Sequence, residues 1–211
     1  MKEPRYLVYI AGLFVAVLLI SNTVSTKLVR LGPFEFDGGT ILFPLAYILG
    51  DVLTEIYGYK RTRRVIWLGF ACIVLMAASY MLIGLLPPAP SYLFQEQYLS
   101  VLGMVPRIVL ASLAAYLLGS LSNSYIMDAM KRRTKGRWLW TRTIGSTIVG
   151  EGIDTVVFIW LAFYGIYPMP VLAAVAASNY IFKVGFEILM TPLTYFAVSK
   201  LRAFENAPKI I

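Results

Sequence analysis

The strongest constraint on this chain is its hydropathy pattern, in which six apolar stretches are separated by short polar segments. An α-helix needs about 20 predominantly apolar residues to cross the hydrocarbon of a bilayer, where every backbone polar group must be satisfied internally. The stretches cover about 6–26, 40–57, 64–86, 106–129, 143–165 and 170–199. The pattern predicts an all-α membrane protein with six transmembrane helices and short loops, forming one domain over residues 1–211.

The composition argues against soluble and catalytic alternatives. With 59% apolar and 14% charged residues, the chain is too apolar for an ordinary soluble domain. It has no histidine and a single cysteine, so the usual ligands for zinc, copper or haem and the commonest general base are missing. The net charge of +8 lies in short clusters between apolar runs, which is not the continuous basic stripe of a nucleic-acid surface. We therefore expect no enzyme activity, no metal, no cofactor and no nucleic-acid partner.

Lysine and arginine are distributed unevenly between the two sides of the predicted helices. Fifteen of the 19 lie in flanks on one side, three lie on the other, and Lys183 lies inside a span. The larger group comprises Lys2, Arg5 and the clusters within 60–64, 131–142 and 200–209, and the smaller one comprises Lys27, Arg30 and Arg107. Because cytoplasmic loops carry the excess of positive charge, both termini are predicted to be cytoplasmic in a multi-pass inner-membrane protein.

Two segments are expected to depart from regular spans. The second stretch is short and contains Pro44 and Gly50, which predicts a kinked or partly unwound helix buried against protein or a cavity. The outer connection 87–105 begins with prolines that end the third helix, and its 91–104 part is expected to lie along the membrane interface. The sequence assigns no function to this connection.

Five acidic side chains lie inside the predicted spans, each two or more residues from the nearer end, where each costs about 2.5–3.5 kcal/mol on insertion scales. They are Asp51 and Glu55 on the second helix, Glu151 and Asp154 on the fifth, and Glu187 on the sixth. Helical spacing places each pair on one face, and Asn179, Lys183 and Glu187 share a stripe. These groups could hold helices together, as Lys183 with Glu187 would. One lysine cannot neutralise five carboxylates, however, so a solute site around Glu151 and Lys183 is the favoured interpretation.

Amides and aromatic rings accompany these charges. Asn22 and Asn123 lie near the ends of the first and fourth helices, where they could bond helices together or line a pocket for a flat polar ligand, with Tyr47 and Tyr180 nearby. Asn22 precedes Asp51 by 29 residues, and Asn123 precedes Glu151 by 28. These matching intervals suggest a 3+3 inverted pseudo-repeat, an arrangement found in many transporters.

Several segments together resemble the queuosine precursor transporter family, small bacterial membrane proteins also described as vitamin-uptake-like transporters. The resemblance spans nearly the whole chain. It is carried by FPLAYILGDVLTEIYGY at 43–59, the basic 131–140 loop running into GST at 145–147, GEGIDT at 150–155, and Tyr180, Lys183, Glu187 and Pro192.

The resemblance implies import of 7-deazaguanine bases, namely 7-cyano-7-deazaguanine, 7-aminomethyl-7-deazaguanine or queuine. Their guanine-like edge offers adjacent N–H and NH₂ donors that one carboxylate accepts, while an amide or lysine meets the carbonyl. The implied roles are Glu151 or Glu187 for the base edge, Lys183 or Asn179 for the carbonyl, Asn22, Asn123 and Asp154 as further binding residues, and Asp51, Glu55, Tyr47 and Tyr180 for coupling or support.

Two other functions remain open from the sequence. Six short-looped helices without a nucleotide motif also resemble the substrate-binding subunit of an energy-coupling vitamin importer. An intramembrane enzyme is the weaker alternative, because the paired acids lack an aspartyl-protease motif or a Ser–His pair. The preferred precursor, the coupling ion and the oligomeric state are not specified by the sequence, and a homodimer is left open.

Overall fold

The computed structural model describes residues 6–133 and 139–205. Its elements are α1 (Leu7–Val24), β1 (Leu28–Leu31), β2 (Phe34–Asp37), a 3₁₀ turn (Gly38–Leu42), α2 (Phe43–Tyr57), α3 (Tyr59–Leu85), α4 (Gln95–Leu102), α5 (Val105–Arg133), α6 (Leu139–Phe163) and α7 (Met169–Glu205). In this described part, six segments are long and apolar enough to span a membrane: Leu7–Val24, Gly38–Tyr57, Tyr59–Leu85, Gln95–Asn123, Gly145–Phe163 and Met169–Met190. The predicted six-span helical fold is confirmed.

Some residues used in the sequence predictions fall outside the described set. They are Lys2, Arg5, Lys135, Arg137 and Lys209, together with the side chains of Tyr47, Lys131, Arg142 and Arg202. The cytoplasmic placement of the termini and the inverted pseudo-repeat stay predictions.

The apolar interior consists of clusters between neighbouring helices. One cluster joins α1, α2 and α3 through residues such as Phe14, Leu53 and Val65. Another joins α5, α6 and α7, where Ile108 and Phe163 are fully buried. Because lipid already surrounds the apolar faces, close packing and polar contacts, rather than hydrophobicity alone, determine how such helices associate.

The connection between α1 and α2, where the sequence predicted only a short loop, folds into a β-hairpin. Strands β1 and β2 pair antiparallel, with Leu31 opposite Phe34 across a two-residue loop. The loop begins with Gly32 at a φ of 61°, a conformation that glycine adopts without steric cost. The inward-facing Phe36 is 5% exposed and packs edge-on against Phe182 of α7, with ring centres 5.4 Å apart. The hairpin is thereby attached to the sixth span.

The second span differs from its predicted form. Helix α2 is continuous from Phe43 to Tyr57, with Pro44 in its first turn and Gly50 within it. The irregular backbone instead lies before the proline, in the 3₁₀ turn Gly38–Leu42. Proline is compatible with the first helical turn because its missing N–H would have no intrahelical partner there. The second span is therefore partly unwound, as the sequence indicated, but the unwound part is its entry, and the helix is unbroken at Pro44 and Gly50.

The connection between α3 and α5 contains the short helix α4. Gln95 Nε2 donates to the Gly84 carbonyl at 3.1 Å, and the Tyr98 hydroxyl donates to the Tyr80 carbonyl at 3.3 Å. Helix α4 therefore rests on the last turns of α3, where it satisfies carbonyl groups near the helix end. Its placement relative to the membrane interface stays a prediction.

Helices α5 and α6 cross closely at two glycines. A Cβ added to Gly119 would lie 2.9 Å from Asp154 Cβ, and one added to Gly150 would lie 2.9 Å from Asn123 Cβ and 3.2 Å from the Gly119 carbonyl oxygen. Small residues at such a crossing let two backbones approach within a membrane. The crossing brings the polar residues of α5 and α6 together.

Replacing Gly150 with alanine is expected to lower the unfolding temperature of the detergent-purified protein. The added methyl group must displace α5, and overpacking of this kind costs about 1–3 kcal/mol. Gly12→Ala in α1 is the matched control, because an added Cβ there meets nothing within 4 Å and should leave the unfolding temperature unchanged or slightly higher. Equal unfolding temperatures for the two variants would contradict the close crossing.

Candidate functional site

A cluster of charged side chains joins α6 to α7 within the spanning region. Lys183 on α7 is 9% exposed, and its Nζ donates to Asp154 Oδ2 at 2.6 Å. The same Nζ lies 3.7 Å from Glu151 Oε2 and 4.8 Å from the centre of the Phe43 ring. Because Glu151 and Asp154 are three residues apart on α6, they share a face, and one lysine meets both carboxylates.

This cluster holds more negative than positive charge. Asp154 receives the short hydrogen bond from Lys183, whereas Glu151 Oε2 is buried without a hydrogen-bond partner among the described residues. The sequence suggested that Lys183 could pair along its own helix with Glu187; in the structure its ammonium reaches across to α6. A buried carboxylate oxygen without a hydrogen bond is costly, so a donor supplied by a solute would bind favourably at Glu151.

A partly open cleft of about 170 Å³ lies beside this cluster, between α5 and α6. It is lined by Tyr116, Gly119, Ser120, Asn123, Thr147, Gly150, Glu151 and Asp154. Three residues predicted from the sequence, Asn123, Glu151 and Asp154, therefore line the same cleft. Lys183 contacts Glu151 and Asp154 from α7. The glycines provide room because they place no side chain in the cleft.

Buried oxygen atoms without a hydrogen bond lie both at the cleft and at the neighbouring α6–α7 contact. Among the described residues, Asn123 Oδ1, Glu151 Oε2, Thr155 Oγ1 and Asn179 Oδ1 are buried and have no hydrogen-bond partner. Three of these atoms can only accept hydrogen bonds, and a hydroxyl oxygen can also accept. Leaving such atoms unsatisfied costs about 1–3 kcal/mol each. The site is thus suited to a solute with several N–H donors.

Asp37 is a buried polar residue that the sequence analysis missed. It is 2% exposed at the end of β2, and its carboxylate accepts from Ser25, from Thr40 and from Asn179 of α7. It also caps the 3₁₀ turn by accepting from the backbone N–H of Gly39. An aspartate followed by a short turn before an apolar stretch is a capping signal, and that signal could have identified the residue.

The other predicted site residues are distributed around this region. Asn179 lies one turn before Lys183 on α7, and Tyr180 donates from its hydroxyl to the Ile148 carbonyl of α6 at 3.2 Å. Asn22 is buried on α1, where its Nδ2 donates to the Leu18 carbonyl at 2.8 Å, and it is not in the described lining of the cleft. Asp51, on the exposed face of α2 with Glu55, lies within electrostatic range of Glu187.

Comparison with known proteins places the chain among bacterial transporters. A family described as "Putative vitamin uptake transporter" matches residues 37–197. The "Probable queuosine precursor transporter" of Bacillus subtilis is 31% identical over 190 residues, covering 88% of this chain and 83% of that protein. The "Queuosine precursor transporter" of Escherichia coli is 27% identical over 170 residues, covering 77% of this chain and 72% of that protein.

A third relative, the "Probable queuosine precursor transporter" of Haemophilus influenzae, is 25% identical over 175 residues, covering 77% of this chain and 72% of that protein. Comparison with solved structures finds no match for the chain. These relatives are named as transporters, in agreement with the expectation that the chain is not an enzyme. The chain therefore belongs to the vitamin uptake transporter family that includes these queuosine precursor transporters, and it is a multi-pass protein of the bacterial inner membrane.

Proposed function

We propose that this protein imports a queuosine precursor, a 7-deazaguanine base, through the site between α5, α6 and α7. The observation that carries the proposal is the surplus of buried acceptor atoms around a single lysine, beside a cleft with room for a small solute. The names of the relatives supply the substrate class. An acceptor-rich site and a donor-rich heterocycle are complementary.

The guanine-like edge of such a base offers one N–H and one exocyclic NH₂ side by side. A carboxylate can accept both as a bidentate pair, and Glu151 lines the cleft with an oxygen that has no hydrogen bond among the described residues. Lys183 would donate to the ring carbonyl while Asp154 holds its ammonium in place. Glu187, one turn beyond Lys183, is the second candidate for the base edge. Tyr116 lines the cleft and offers an aromatic face, and base stacking is worth about 1–3 kcal/mol in nucleic-acid systems.

The remaining predicted residues are assigned supporting roles in this proposal. Asn123 would add a polar contact from α5, where its Oδ1 has no described partner. Asp51 and Glu55 on α2 would serve coupling or the cationic aminomethyl group of one precursor, and Tyr180 and Asn22 would support the helices. A homodimer and a cytoplasmic location of both termini stay predictions.

Two measurements test the proposal. Purified protein should bind 7-cyano-7-deazaguanine or 7-aminomethyl-7-deazaguanine in preference to adenine. Cells that cannot synthesise queuosine precursors should accumulate the supplied base only when they express the protein. The host should also lack the energising subunits of vitamin importers, because uptake there excludes a role as a dependent binding subunit. Absence of both binding and uptake, with the protein present in the membrane, would overturn the proposal.

A further inference from the structure

We propose that Asp37 is a positioning residue that fixes the side-chain amide of Asn179, so that Asn179 Oδ1 accepts an N–H from the transported base. This inference rests on the proposed function and adds a determinant of specificity to it. It assigns a role in substrate selection to the hairpin between α1 and α2.

The hydrogen bonds of Asp37 determine which atom Asn179 can present. Asp37 Oδ1 accepts from the Ser25 hydroxyl at 2.7 Å and from the backbone N–H groups of Gly39 and Thr40 at 3.0 and 3.3 Å. Asp37 Oδ2 accepts from the Thr40 hydroxyl and from Asn179 Nδ2, both at 2.7 Å. A carboxylate only accepts hydrogen bonds, so the amide of Asn179 must turn its NH₂ group towards it.

The fixed orientation leaves the carbonyl oxygen of Asn179 as the amide atom that is not bonded to Asp37. Asn179 is 1% exposed, and its Oδ1 has no hydrogen-bond partner among the residues that the structure describes. A side-chain amide that is free to rotate could present either its NH₂ donor or its carbonyl acceptor to a ligand. The amide of Asn179 can present only its carbonyl oxygen, because Asp37 holds its NH₂ group. The cost of leaving that acceptor empty is recovered only when a donor arrives.

Asn179 is not in the described lining of the cleft, and it is related to the proposed substrate site through Lys183, which contacts the lining residues Glu151 and Asp154. Asn179 precedes Lys183 by one helical turn on the same face of α7. Lys183 donates and Asn179 accepts, so together they match the ring carbonyl of 7-deazaguanine and the N–H next to it. Asn179 Oδ1 would share this N–H with Glu151, which also accepts from the exocyclic NH₂. The arrangement is mismatched to a base with an acceptor nitrogen in place of that N–H. Sites built to hydrogen-bond a donor strongly reject an analogue that lacks it.

The anchoring of Asp37 makes the orientation rigid. Ser25 belongs to the end of α1, Thr40 to the 3₁₀ turn, and Glu35 of the same hairpin donates from its backbone N–H to Ser178 Oγ at 3.2 Å. The carboxylate is therefore held from several elements and cannot follow a rotating amide. Precise positioning by surrounding hydrogen bonds is what a selective site requires.

Asp37→Asn tests the inference because it should reverse the amide of Asn179. The new NH₂ at position 37 would face Asn179, which would then turn its Oδ1 inward and present its NH₂ to the base. Affinity of the purified protein for 7-deazaguanine should fall about tenfold or more. Two probes change the donors of the base. 7-Deazaadenine has an acceptor nitrogen at ring position 1, an NH₂ group in place of the carbonyl and no NH₂ at position 2, whereas 7-deazaxanthine has a carbonyl in place of the NH₂ at position 2. The preference for 7-deazaguanine over 7-deazaadenine should narrow or reverse, because the nitrogen at position 1 of 7-deazaadenine can accept from the reversed amide of Asn179.

Control variants separate positioning from a structural role. Ser25→Ala removes one donor to Asp37 without turning Asn179, so it should lower thermal stability and keep the preference among the three bases. In an Asn179→Ala background, Asp37→Asn should no longer change that preference. If Asp37→Asn does not fold, Asn179→Leu tests the same acceptor. This variant should abolish the part of the preference for 7-deazaguanine over 7-deazaadenine that depends on Asn179.

The outcomes distinguish this inference from the proposed function. If the unmodified protein fails to bind any 7-deazaguanine base, the proposed function fails. If it binds 7-deazaguanine selectively and Asp37→Asn weakens all three bases equally, or Asn179→Leu leaves the preference intact, then Asp37 does not position Asn179 for the substrate and this inference alone is overturned.

Discussion

Replacing Lys183 with alanine is expected to abolish accumulation of queuosine precursor by cells that cannot synthesise it. The ammonium bonds Asp154 at 2.6 Å and lies 3.7 Å from Glu151, so its removal leaves two neighbouring carboxylates without a described cation. Breaking a buried ion pair by removing one partner costs about 3–5 kcal/mol. Part of this cost will appear as weaker substrate binding and part as lower stability. Uptake of labelled precursor, normalised to the amount of protein in the membrane, measures the effect on substrate binding separately from the effect on stability.

Charge-matched variants separate the two contributions. Lys60→Ala, at an exposed position near the start of α3, is the matched control and should leave uptake unchanged. The double variant Lys183→Ala with Asp154→Asn removes one charge of each sign, so it should recover much of the lost thermal stability. It should not recover uptake, because the donor to the base carbonyl is still missing. Normal uptake by Lys183→Ala alone would show that the substrate passes elsewhere.

The spans could be predicted from the sequence because a bilayer leaves few alternatives. Backbone groups in hydrocarbon must be paired within a helix, and this requirement makes about 20 apolar residues a strong signal. No such requirement applies to the connection between α1 and α2 that holds Asp37, where two strands of four residues give a weak alternation signal. The hairpin forms because Phe36 and Asp37 find partners on α7, and these contacts lie more than 140 residues away along the chain.

The polar site was predictable in part for a related reason. Ionisable residues within apolar stretches are visible in any sequence, so Glu151, Asp154 and Lys183 could be identified as a group. Their mutual geometry was not visible, because it depends on how α6 and α7 pack. Thr155 was missed because a threonine within a helix usually satisfies its hydroxyl on the preceding turn, whereas here its Oγ1 has no described partner. Residue spacing along the sequence predicts which side chains share a face of one helix, whereas this site is formed by side chains of α5, α6 and α7 together.

Glu151→Ala is expected to abolish substrate binding and, at the same time, to raise the unfolding temperature of the empty protein. Glu151 is the surplus carboxylate of the cluster, because Lys183 is already bonded to Asp154. Its buried Oε2 atom lacks a described hydrogen bond, so the empty protein bears a desolvation cost that the substrate would relieve. Removing the carboxylate removes this cost and the ligand contact together. Residues retained for binding at the expense of stability commonly show this trade-off.

Glu151→Gln refines the same test. The amide keeps the shape of the side chain but replaces one acceptor with a donor, so it can no longer accept both N–H groups of the base edge, and affinity should fall by about 10–100-fold. Glu96→Ala on the exposed surface of α4 is the control and should change neither affinity nor unfolding temperature by much. Asp154→Ala should act in the opposite direction on stability, because it deprives Lys183 of its hydrogen-bonded partner. A fall in unfolding temperature for Glu151→Ala, with binding retained, would mean that Glu151 holds the helices together and that the base is recognised by other groups.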